Sequence, residues 1–259
     1  MTMKLYHGEP NGPSLSVLAA LSEKNLDADL VYIDLAMAER HGDKCEQSVE
    51  VNMSVEGEGP VLVVNGEPLA DSVFIARYFD DIGSGTALVP EDSYGCWEVM
   101  TWCRQIIERL APAAAYLGVR AYLQEPLAGL EEGDFEARVG KIASEDLAQR
   151  WRDVRAGNFS DEQVEDSQSK VVAAVEKVEG RLDGRDWLMG DFSMADLETY
   201  SWLAGMVELV PSAFENAEQT RAWMERVRNR SSVQQALSRA TVAEPEKSWA
   251  PGPEINRWG

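Results

Sequence analysis

The fold is decided by the stretch Gly57-Glu-Gly-Pro-Val-Leu-Val-Val-Asn-Gly-Glu-Pro-Leu-Ala-Asp-Ser72. Its apolar run Val61–Val64 predicts a short buried strand, and the Asn-Gly dipeptide that follows predicts a type I′ hairpin turn. The next residues, Pro68 and Leu69, predict the returning strand. A helical pattern begins where the stretch ends. The sequence therefore predicts a free strand edge beside the N-terminus of a helix.

A proline stands immediately before the first of these strands. Because proline has no backbone N–H, we expect Pro60 at the edge of the strand, and its preceding peptide bond is a candidate for the cis form. Asp71 and Ser72 add a carboxylate and a hydroxyl at the start of the helix. These groups suit a peptide-like ligand that has both a main chain and a charged end.

A strand preceded by proline, a hairpin, and an acidic residue followed by serine at a helix start resemble the thioredoxin-like half of glutathione transferases. In that family the residue before the proline pairs its backbone with the cysteinyl unit of glutathione, and the acidic-serine pair binds the γ-glutamyl end. The resemblance implies that Gly59, Pro60, Asp71 and Ser72 bind glutathione as the co-substrate. The family usually has a bulky apolar residue where this chain has Gly59, and a more mobile backbone would hold the tripeptide less firmly.

The composition is that of an acidic globular protein. The 259 residues include 45 acidic and 24 basic side chains, so the formal net charge is −21. Binding to nucleic acid or to an anionic membrane needs a surface rich in lysine and arginine, which the sequence does not contain. We expect neutral or aromatic substrates rather than polyanions, and much of the excess charge serves solubility.

The cysteines and histidines indicate neither a disulfide framework nor a metal site. Cys45, Cys96 and Cys103 form no CxxC pair and have no ligand-like spacing with His7 or His41. The first residues lack the apolar core of a signal peptide, and no run of about 18 apolar residues predicts a membrane span. We expect a cytoplasmic protein without a metal.

The order of the predicted elements indicates two parts with different folds, an α/β part followed by an all-α part. In the first part we expect a strand from Lys4 to Tyr6, a helix over 14–24, a strand over 29–35, a charged helix over 36–51, and then the hairpin and its helix. This βαβαββα order is typical of a thioredoxin-like domain. We place that glutathione-binding domain at 1–82 and a linker at 83–92.

The second part is predicted to be a helical bundle. The expected helices cover 93–123, with a bend or break at Pro112, and 133–154, 163–182, 194–207 and 213–227. We place this all-helical substrate domain at 93–242 and an irregular C-terminal extension at 243–259. Ser193 and Asp196 form a helix-capping pattern, which is structural and carries no chemistry. The same two-domain plan is found in glutathione transferases.

The loop after the first strand, His7-Gly-Glu-Pro-Asn-Gly-Pro-Ser14, is predicted to lie at the same end of the sheet as the hairpin. Ser14 falls at or near the N-cap of the first helix. Its hydroxyl is either a helix cap or a hydrogen-bond donor to a thiolate, and Ser16 is a possible substitute. A free cysteine thiol has a pKa of about 8.5, and a helix N-terminus with one hydroxyl donor would lower it.

The chain most resembles the bacterial β-etherases, glutathione transferases that cleave aryl ethers of lignin. The parallels are Lys4-Leu5-Tyr6, the Pro-Ser-Leu sequence ending at Leu15, Glu23-Lys24, Asp34 and His41. The resemblance implies thiolate attack on the carbon that bears the ether oxygen, with Ser14 as the catalytic donor. His41 is then a glutathione contact or a lone surface histidine. Four aromatic residues either line a substrate pocket or belong to the helix core: Trp97, Trp102, Tyr116 and Tyr122.

Two departures from the family pattern lead to a second hypothesis. The approach to the proline, 52–57, is about two residues longer than usual, and Glu56 and Glu58 would repel the carboxylates of glutathione. The chain would then be a weakly active or non-catalytic subunit of a heterodimeric etherase. A stress-related binding protein on the same scaffold is a third hypothesis. Because glutathione transferases are dimeric, we expect a homodimer or a heterodimer with a homologous chain.

Overall fold

A mixed β-sheet forms the centre of the first half of the chain in the computed structural model, which describes residues 2–45 and 59–248. Among these residues the sheet has four strands in the order β2–β1–β3–β4. The strands are β1 (Met3–His7), β2 (Asp29–Tyr32), β3 (Val61–Val64) and β4 (Glu67–Leu69). β1 pairs with β2 in parallel and with β3 antiparallel, and β3 pairs with β4 antiparallel. The α/β class predicted for this half is confirmed.

The hairpin predicted from the sequence is present. Asn65 and Gly66 have φ angles of 51° and 93°, the positive values that a type I′ turn requires at both central positions. All four residues of β3 are buried. The register pairs Leu62 with Leu69, so β4 ends at the same end of the sheet as the one where β3 begins. The helix α2 (Ser72–Ile82) starts there.

The helix expected over 36–51 is wrong in its described part, and the strand before it ends three residues earlier than expected. Two single 3-10 turns, Leu35–Met37 and Glu39–His41, follow β2 instead. The Asp34 carboxylate accepts the N–H of Met37, and Ala38 has a left-handed φ of 55° that ends the first turn. Residues 46–51 of this prediction lie outside the described part.

The second half is helical, as predicted. Its helices, in chain order, are α3 (Ser93–Gln105), α4 (Ala111–Gly118), α5 (Gln124–Ala128), α6 (Glu132–Val139), α7 (Glu145–Ala156), α8 (Asp161–Arg181), α9 (Met194–Leu203), α10 (Met206–Leu209), α11 (Pro211–Phe214), α12 (Glu218–Arg228), α13 (Ser231–Leu237) and α14 (Pro245–Ser248). π-helical turns over 106–110 and 119–123 join α3, α4 and α5. The chain stays helical through Pro112. The π-helical turn over 106–110 lies just before this proline and accommodates the irregularity that a proline causes in a helix.

Some expected helices are divided. The segment 133–154 contains α6 and α7, because α6 ends at Gly140 and Ser144 caps α7 by accepting the N–H of Leu147. The segments 194–207 and 213–227 are likewise interrupted, and α13 and α14 were not expected. The division of the chain at 82 and 93 stays a prediction.

The helix α1 (Gly12–Glu23) joins the two halves. It contacts α2 on the first half and both α9 and α13 on the second. Ten consecutive residues, from Gly12 to Leu21, are buried. A single large apolar cluster therefore runs from Leu5 of β1 to Trp202 of α9, and the start of α1 is held from several sides. No helix in the described ranges has the length and apolar content of a membrane span.

Candidate functional site

The loop between β1 and α1 places Ser14 inside the first turn of the helix, not at its cap. Asn11 occupies the N-cap position and Ser14 is the third helical residue. The Ser14 hydroxyl oxygen accepts the N–H of Gly8 at 3.0 Å, and the residue is 1% exposed. The interpretation of Ser14 as a capping serine is therefore wrong. Because a hydroxyl both accepts and donates, Ser14 keeps a hydrogen with which to donate to a ligand.

The C-terminal segment 241–248 covers this loop. The Glu9 carboxylate accepts the backbone N–H and the hydroxyl of Thr241, and it also accepts the hydroxyl of Tyr32 at 3.0 Å. The Asn11 side chain donates to the carbonyl oxygen of Pro245 at 2.9 Å. Glu9, Asn11 and Ser14 are all buried. The loop is accordingly closed by the protein's own chain in this conformation.

Gly59, the residue before Pro60, lies directly against the start of α1. A Cβ atom at Gly59 would stand 2.8 Å from Cγ of Pro13, and Gly59 has a φ of 52°, a value that favours glycine. This crowding explains why a bulky apolar residue has no room here. No cis peptide bond occurs in the described part of the chain, so the Gly59–Pro60 bond is trans. Val61 pairs with Tyr6, which brings the start of β3 beside the end of β1.

Asp71 caps the helix that follows the hairpin. One of its carboxylate oxygens accepts the N–H groups of Val73 at 2.8 Å and of Phe74 at 3.2 Å. Asp71 has a φ of 74°, and such strain in a non-glycine residue is characteristic of functional sites. Ser72 is the first helical residue, and its hydroxyl donates to a carboxylate oxygen of Glu198 at 3.1 Å.

Glu198 is a buried residue that the sequence reasoning missed. It lies on α9, and besides Ser72 it accepts the Ser16 hydroxyl at 2.8 Å and the Trp202 indole N–H at 2.8 Å. Burial raises the pKa of the Glu198 carboxyl to about 7. Since the Ser16 hydroxyl is committed to Glu198, Ser16 is not the substitute donor considered above. The available signal was a glutamate two residues after the capping Asp196, in an otherwise apolar helix start.

The capping pattern of α9 is confirmed as structural. The Ser193 hydroxyl accepts the N–H of Ala195, and the Asp196 carboxylate accepts the N–H of Ser193 at 2.9 Å. Asp196 also accepts the Leu188 N–H and the Trp223 indole N–H. These bonds fix the start of α9, and hence the position of Glu198 two residues further on.

His41 and the four aromatic residues have different surroundings. His41 is buried on the second 3-10 turn, so the surface interpretation is wrong. Trp102 is a core residue whose indole donates to Thr199 at 2.9 Å, and the Tyr116 hydroxyl accepts the N–H of Ser160 at 2.9 Å. Trp97, in contrast, is 58% exposed. Tyr122 is half-buried, and burial raises the pKa of its phenol.

A cleft of about 610 Å³ lies between the turn region after β2 and α6. Three cationic side chains line it, Lys44, Arg138 and Lys141. Lys44 pairs with Glu39, and Arg138 donates to a backbone carbonyl oxygen at 3.5 Å. The lining also includes three acidic side chains, Glu39, Asp43 and Asp134. The cleft therefore carries charges of both signs, next to the turn that carries His41.

Two family models match the chain. "Glutathione S-transferase, N-terminal domain" matches residues 1–81, and "Glutathione S-transferase, C-terminal domain" matches residues 141–231. The chain belongs to the glutathione S-transferase family. The two-domain fold and glutathione as the family's co-substrate, both predicted above, are thereby confirmed.

The comparison with individual proteins agrees with the resemblance to β-etherases. The chain is 26% identical to protein LigF of Sphingobium sp. strain SYK-6 over 251 residues, which cover 93% of this chain and 95% of LigF. The crystal structure of β-etherase LigF superposes with a TM-score of 0.82 at 24% identity, covering 93% of this chain and all of that one.

The chain is also similar to two other glutathione transferases. Glutathione S-transferase U9 of Arabidopsis thaliana is 33% identical over 104 residues, which cover 39% of this chain and 40% of that protein. A glutathione transferase from Burkholderia graminis, solved with two glutathione molecules bound per subunit, has a TM-score of 0.65 at 18% identity, with 93% of this chain and 89% of that one covered.

Proposed function

We propose that this protein is a glutathione transferase of the β-etherase type, which cleaves an aryl ether in the breakdown of lignin-like aromatic compounds. The observation that carries the proposal is the meeting of two helix starts at one end of β3. Gly59 lies against Pro13 of α1, and the Asp71–Ser72 pair stands at the start of α2 at the same end of the sheet. The similarity to LigF over nearly the whole chain directs the choice of an ether as the substrate.

The residues have distinct roles in this proposal. The backbone beside Pro60 pairs with the cysteinyl unit of glutathione, and Asp71 and Ser72 bind its γ-glutamyl end. His41 contacts the same ligand from the turn after β2. Ser14, whose hydroxyl hydrogen is left for a ligand, donates to the thiolate.

The reaction is a substitution at carbon. The glutathione sulfur forms a C–S bond to the carbon that bears the ether oxygen, and the C–O bond breaks. The electron pair leaves with the oxygen as a phenolate, which takes a proton from water. The N-terminal dipole of α1 and the Ser14 hydroxyl lower the pKa of the thiol, and each unit of lowering gives about tenfold more thiolate near neutral pH. A bulky electrophile reaches Ser14 only when the segment 241–248 is displaced.

A second candidate is a weakly active or non-catalytic subunit of a heterodimeric etherase. Three observations favour it: the loop of Ser14 is covered, Gly59 is crowded by Pro13, and the Ser72 hydroxyl is engaged by Glu198. In this case a homologous chain supplies the turnover.

The two candidates differ in what the isolated chain does. We expect purified protein to bind glutathione in calorimetry and to release phenol from an aryl ether whose phenol is fluorescent. The Ser14→Ala variant should bind glutathione but release phenol far more slowly. Binding without any turnover, with activity regained on adding a homologous chain, supports the second candidate. If neither glutathione binding nor turnover is found, both are rejected.

Dimerisation belongs to the same proposal. Three large aromatic residues on α2 and α3 are exposed in the monomer: Phe74 at 62%, Tyr94 at 69% and Trp97 at 58%. Exposed aromatic side chains are typical of interfaces, and we assign this surface to a second copy of the chain or to a homologous partner. Sedimentation velocity should give a dimer, and the double change Phe74→Ser with Trp97→Ser should give a monomer. Val207→Ser, an exposed apolar residue on α10, is the control.

The cytoplasm is the location that we propose. The number and spacing of the three cysteines do not suggest a disulfide framework, which favours a reducing compartment. Fractionation of cells that express the tagged chain tests this directly.

A further inference from the structure

His7 is a buried histidine at the end of β1, and no part of the proposed chemistry uses it. Its ring nitrogen Nδ1 lies 2.8 Å from the carbonyl oxygen of Gly8. A carbonyl oxygen can only accept a hydrogen bond, so Nδ1 carries a hydrogen and donates it. His7 therefore holds the backbone of the residue that follows it.

The ring of His7 has a fixed orientation. The strand register pairs His7 with Tyr32 of β2, and the two rings meet edge to face with their centroids 6.1 Å apart. The Tyr32 hydroxyl in turn donates to Glu9 at 3.0 Å. Because His7 is 5% exposed and packs against an anchored ring, it has little room to turn its donor away from Gly8.

Gly8 connects His7 to Ser14. Its carbonyl oxygen accepts the His7 hydrogen, and its N–H donates to the Ser14 hydroxyl oxygen at 3.0 Å. Glycine has the most freely rotating backbone of all residues, so its two peptide units need partners to hold them. Ile33 holds the unit before Gly8, because its N–H donates to the carbonyl oxygen of His7 at 2.9 Å. The His7 ring holds the unit after Gly8.

The Gly8 N–H decides which way the Ser14 hydroxyl can donate. A hydroxyl oxygen that accepts an N–H directs its own hydrogen away from that donor. Accepting also polarises the O–H bond, which makes the hydroxyl a stronger donor. The hydrogen of the buried Ser14 is thus left for a ligand.

We propose that His7 is a positioning residue, which holds Gly8 so that the Gly8 N–H points at the Ser14 oxygen and the Ser14 hydrogen is available to the glutathione thiolate. This inference rests on the proposed function, because it concerns the donor to the same thiolate. His7 acts through Gly8 and Ser14, and it does not touch the ligand. Its removal should therefore change the ionisation of the bound thiol rather than the binding of the tripeptide.

The charge of His7 does not set this role. Burial lowers the pKa of the imidazole, and the bond to the Gly8 carbonyl offsets part of this effect. Of the charged groups that act on the ring, Arg239 favours its neutral form and Glu9 its charged form. The Tyr32 phenol stays neutral, since burial raises its pKa. Nδ1 carries a hydrogen in the charged form and in this neutral tautomer alike, so both forms donate to Gly8.

The experiment compares His7→Leu with His7→Asn. Leucine and asparagine have nearly the same shape, so both variants lose the same ring packing, but only asparagine can donate an N–H to the Gly8 carbonyl oxygen. The pKa of the thiol of bound glutathione is followed by thiolate absorbance, and kcat for ether cleavage is measured over the same pH range. We expect His7→Leu to raise the thiol pKa by about one unit, since one neutral hydrogen bond is weakened.

The pH profile separates positioning from a general loss of structure. In His7→Leu, kcat should fall about tenfold near neutral pH, and the difference should disappear at a pH where the thiol is fully ionised. The KM for glutathione should change little, and His7→Asn should keep the thiol pKa and the profile of the unchanged protein. A defect of His7→Leu that is equal at every pH, or the same defect in His7→Asn, overturns the role of His7.

The tautomer of His7 supplies a measurement that does not depend on the folding of a variant. The chain has two histidines, His7 and His41, so a nitrogen-15 spectrum of the rings contains few signals. We expect the His7 ring, assigned by correlation to its own backbone, to carry a hydrogen on Nδ1. If only Nε2 carries a hydrogen, the bond to Gly8 does not form, and the inference fails.

The outcomes separate this inference from the proposed function. If Ser14→Ala raises the thiol pKa and His7→Leu leaves it unchanged, the role of His7 is overturned and the proposed function stands. If Ser14→Ala also leaves the thiol pKa unchanged, Ser14 is not the donor, and the inference is rejected with it. If the unchanged protein does not bind glutathione, the site itself is rejected.

Discussion

The starts of α1 and α2 lie at the same end of the sheet, yet they offer opposite chemistry. At α1 the Ser14 hydroxyl accepts a backbone N–H and keeps its hydrogen for donation. At α2 the Ser72 hydroxyl gives its hydrogen to Glu198, and Asp71 adds a carboxylate. The sequence shows a serine near each start and does not distinguish them. The difference comes from the partner that each serine meets in the folded chain.

In the proposed site, the thiol and the γ-glutamyl end of glutathione meet the starts of different helices. A hydroxyl that donates suits a thiolate, whereas acceptors suit an ammonium group. The two starts also differ in access, because the segment 241–248 covers the loop before α1.

Removing the donor at α1 should have the largest effect. We expect Ser14→Ala to lower kcat for ether cleavage by about 10²-fold. In other enzymes, the loss of one hydrogen-bond donor to a charge on the reacting group has an effect of this size. The KM for glutathione should change little. The pKa of the bound thiol, followed by thiolate absorbance, should rise. Ser22→Ala, at the far end of the same helix, is the control, and equal loss in both variants would contradict the role of Ser14.

Removing the carboxylate at α2 should act on binding. Asp71→Ala should weaken glutathione binding by roughly tenfold or more, because a hydrogen bond to a charged group contributes about 1.5–3 kcal/mol. The helix also loses its cap, which costs about 1 kcal/mol of stability.

Asparagine separates these two losses. Asp71→Asn keeps a good capping residue that tolerates positive φ, so it should restore stability without restoring affinity. Calorimetry and thermal unfolding measure the two quantities. An unchanged dissociation constant in Asp71→Ala would refute the assignment of the γ-glutamyl end to α2.

Because Gly59 lies so close to α1, we expect a substitution at Gly59 to lower the stability of the protein. Gly59→Ala places a Cβ atom 2.8 Å from Cγ of Pro13 at a φ of 52°. We expect the free energy of unfolding to fall by about 1–3 kcal/mol, the usual cost of a strained backbone position. Gly66→Ala, also at positive φ but with open space around it, controls for the backbone term. If the two variants lose equal stability, Gly59 is not crowded by α1.

The covering segment predicts the smallest effect. Deleting the residues from Thr241 onward should lower the KM for a bulky ether by about two- to fivefold. In the full chain, only molecules in which the segment 241–248 is displaced can bind such an ether, and the deletion removes this requirement. Steady-state kinetics with a large and a small electrophile measure it, and only the large one should respond. A raised KM for both would indicate that the segment forms part of the binding site.

The parts of this molecule that depend on local signals were predictable. The Asn-Gly turn, the apolar run of β3 and the Ser193–Asp196 cap each follow from a few adjacent residues. Ser14 falls near the helix start as predicted, but the N-cap is Asn11, and Asn11 followed by glycine and proline is itself a readable helix start. The helix expected after β2 failed because side-chain capping by Asp34 and a left-handed Ala38 end it at once.

The hydrogen bonds of Glu198 could not have been predicted from a local pattern. Its contact with Ser16 joins residues 182 positions apart, and its contact with Ser72 spans 126. Only the packing of α9 against α1 and α2 creates it. The same holds for the cover over Asn11, which comes from Pro245 at the other end of the chain.

A crystal structure of the protein with glutathione would show where each part of the tripeptide binds. It should show the cysteinyl backbone paired with the chain at Pro60, the γ-glutamyl ammonium group at Asp71 and Ser72, and the sulfur within hydrogen-bonding distance of the Ser14 hydroxyl. Glutathione bound elsewhere, or bound here with its sulfur remote from Ser14, would contradict it.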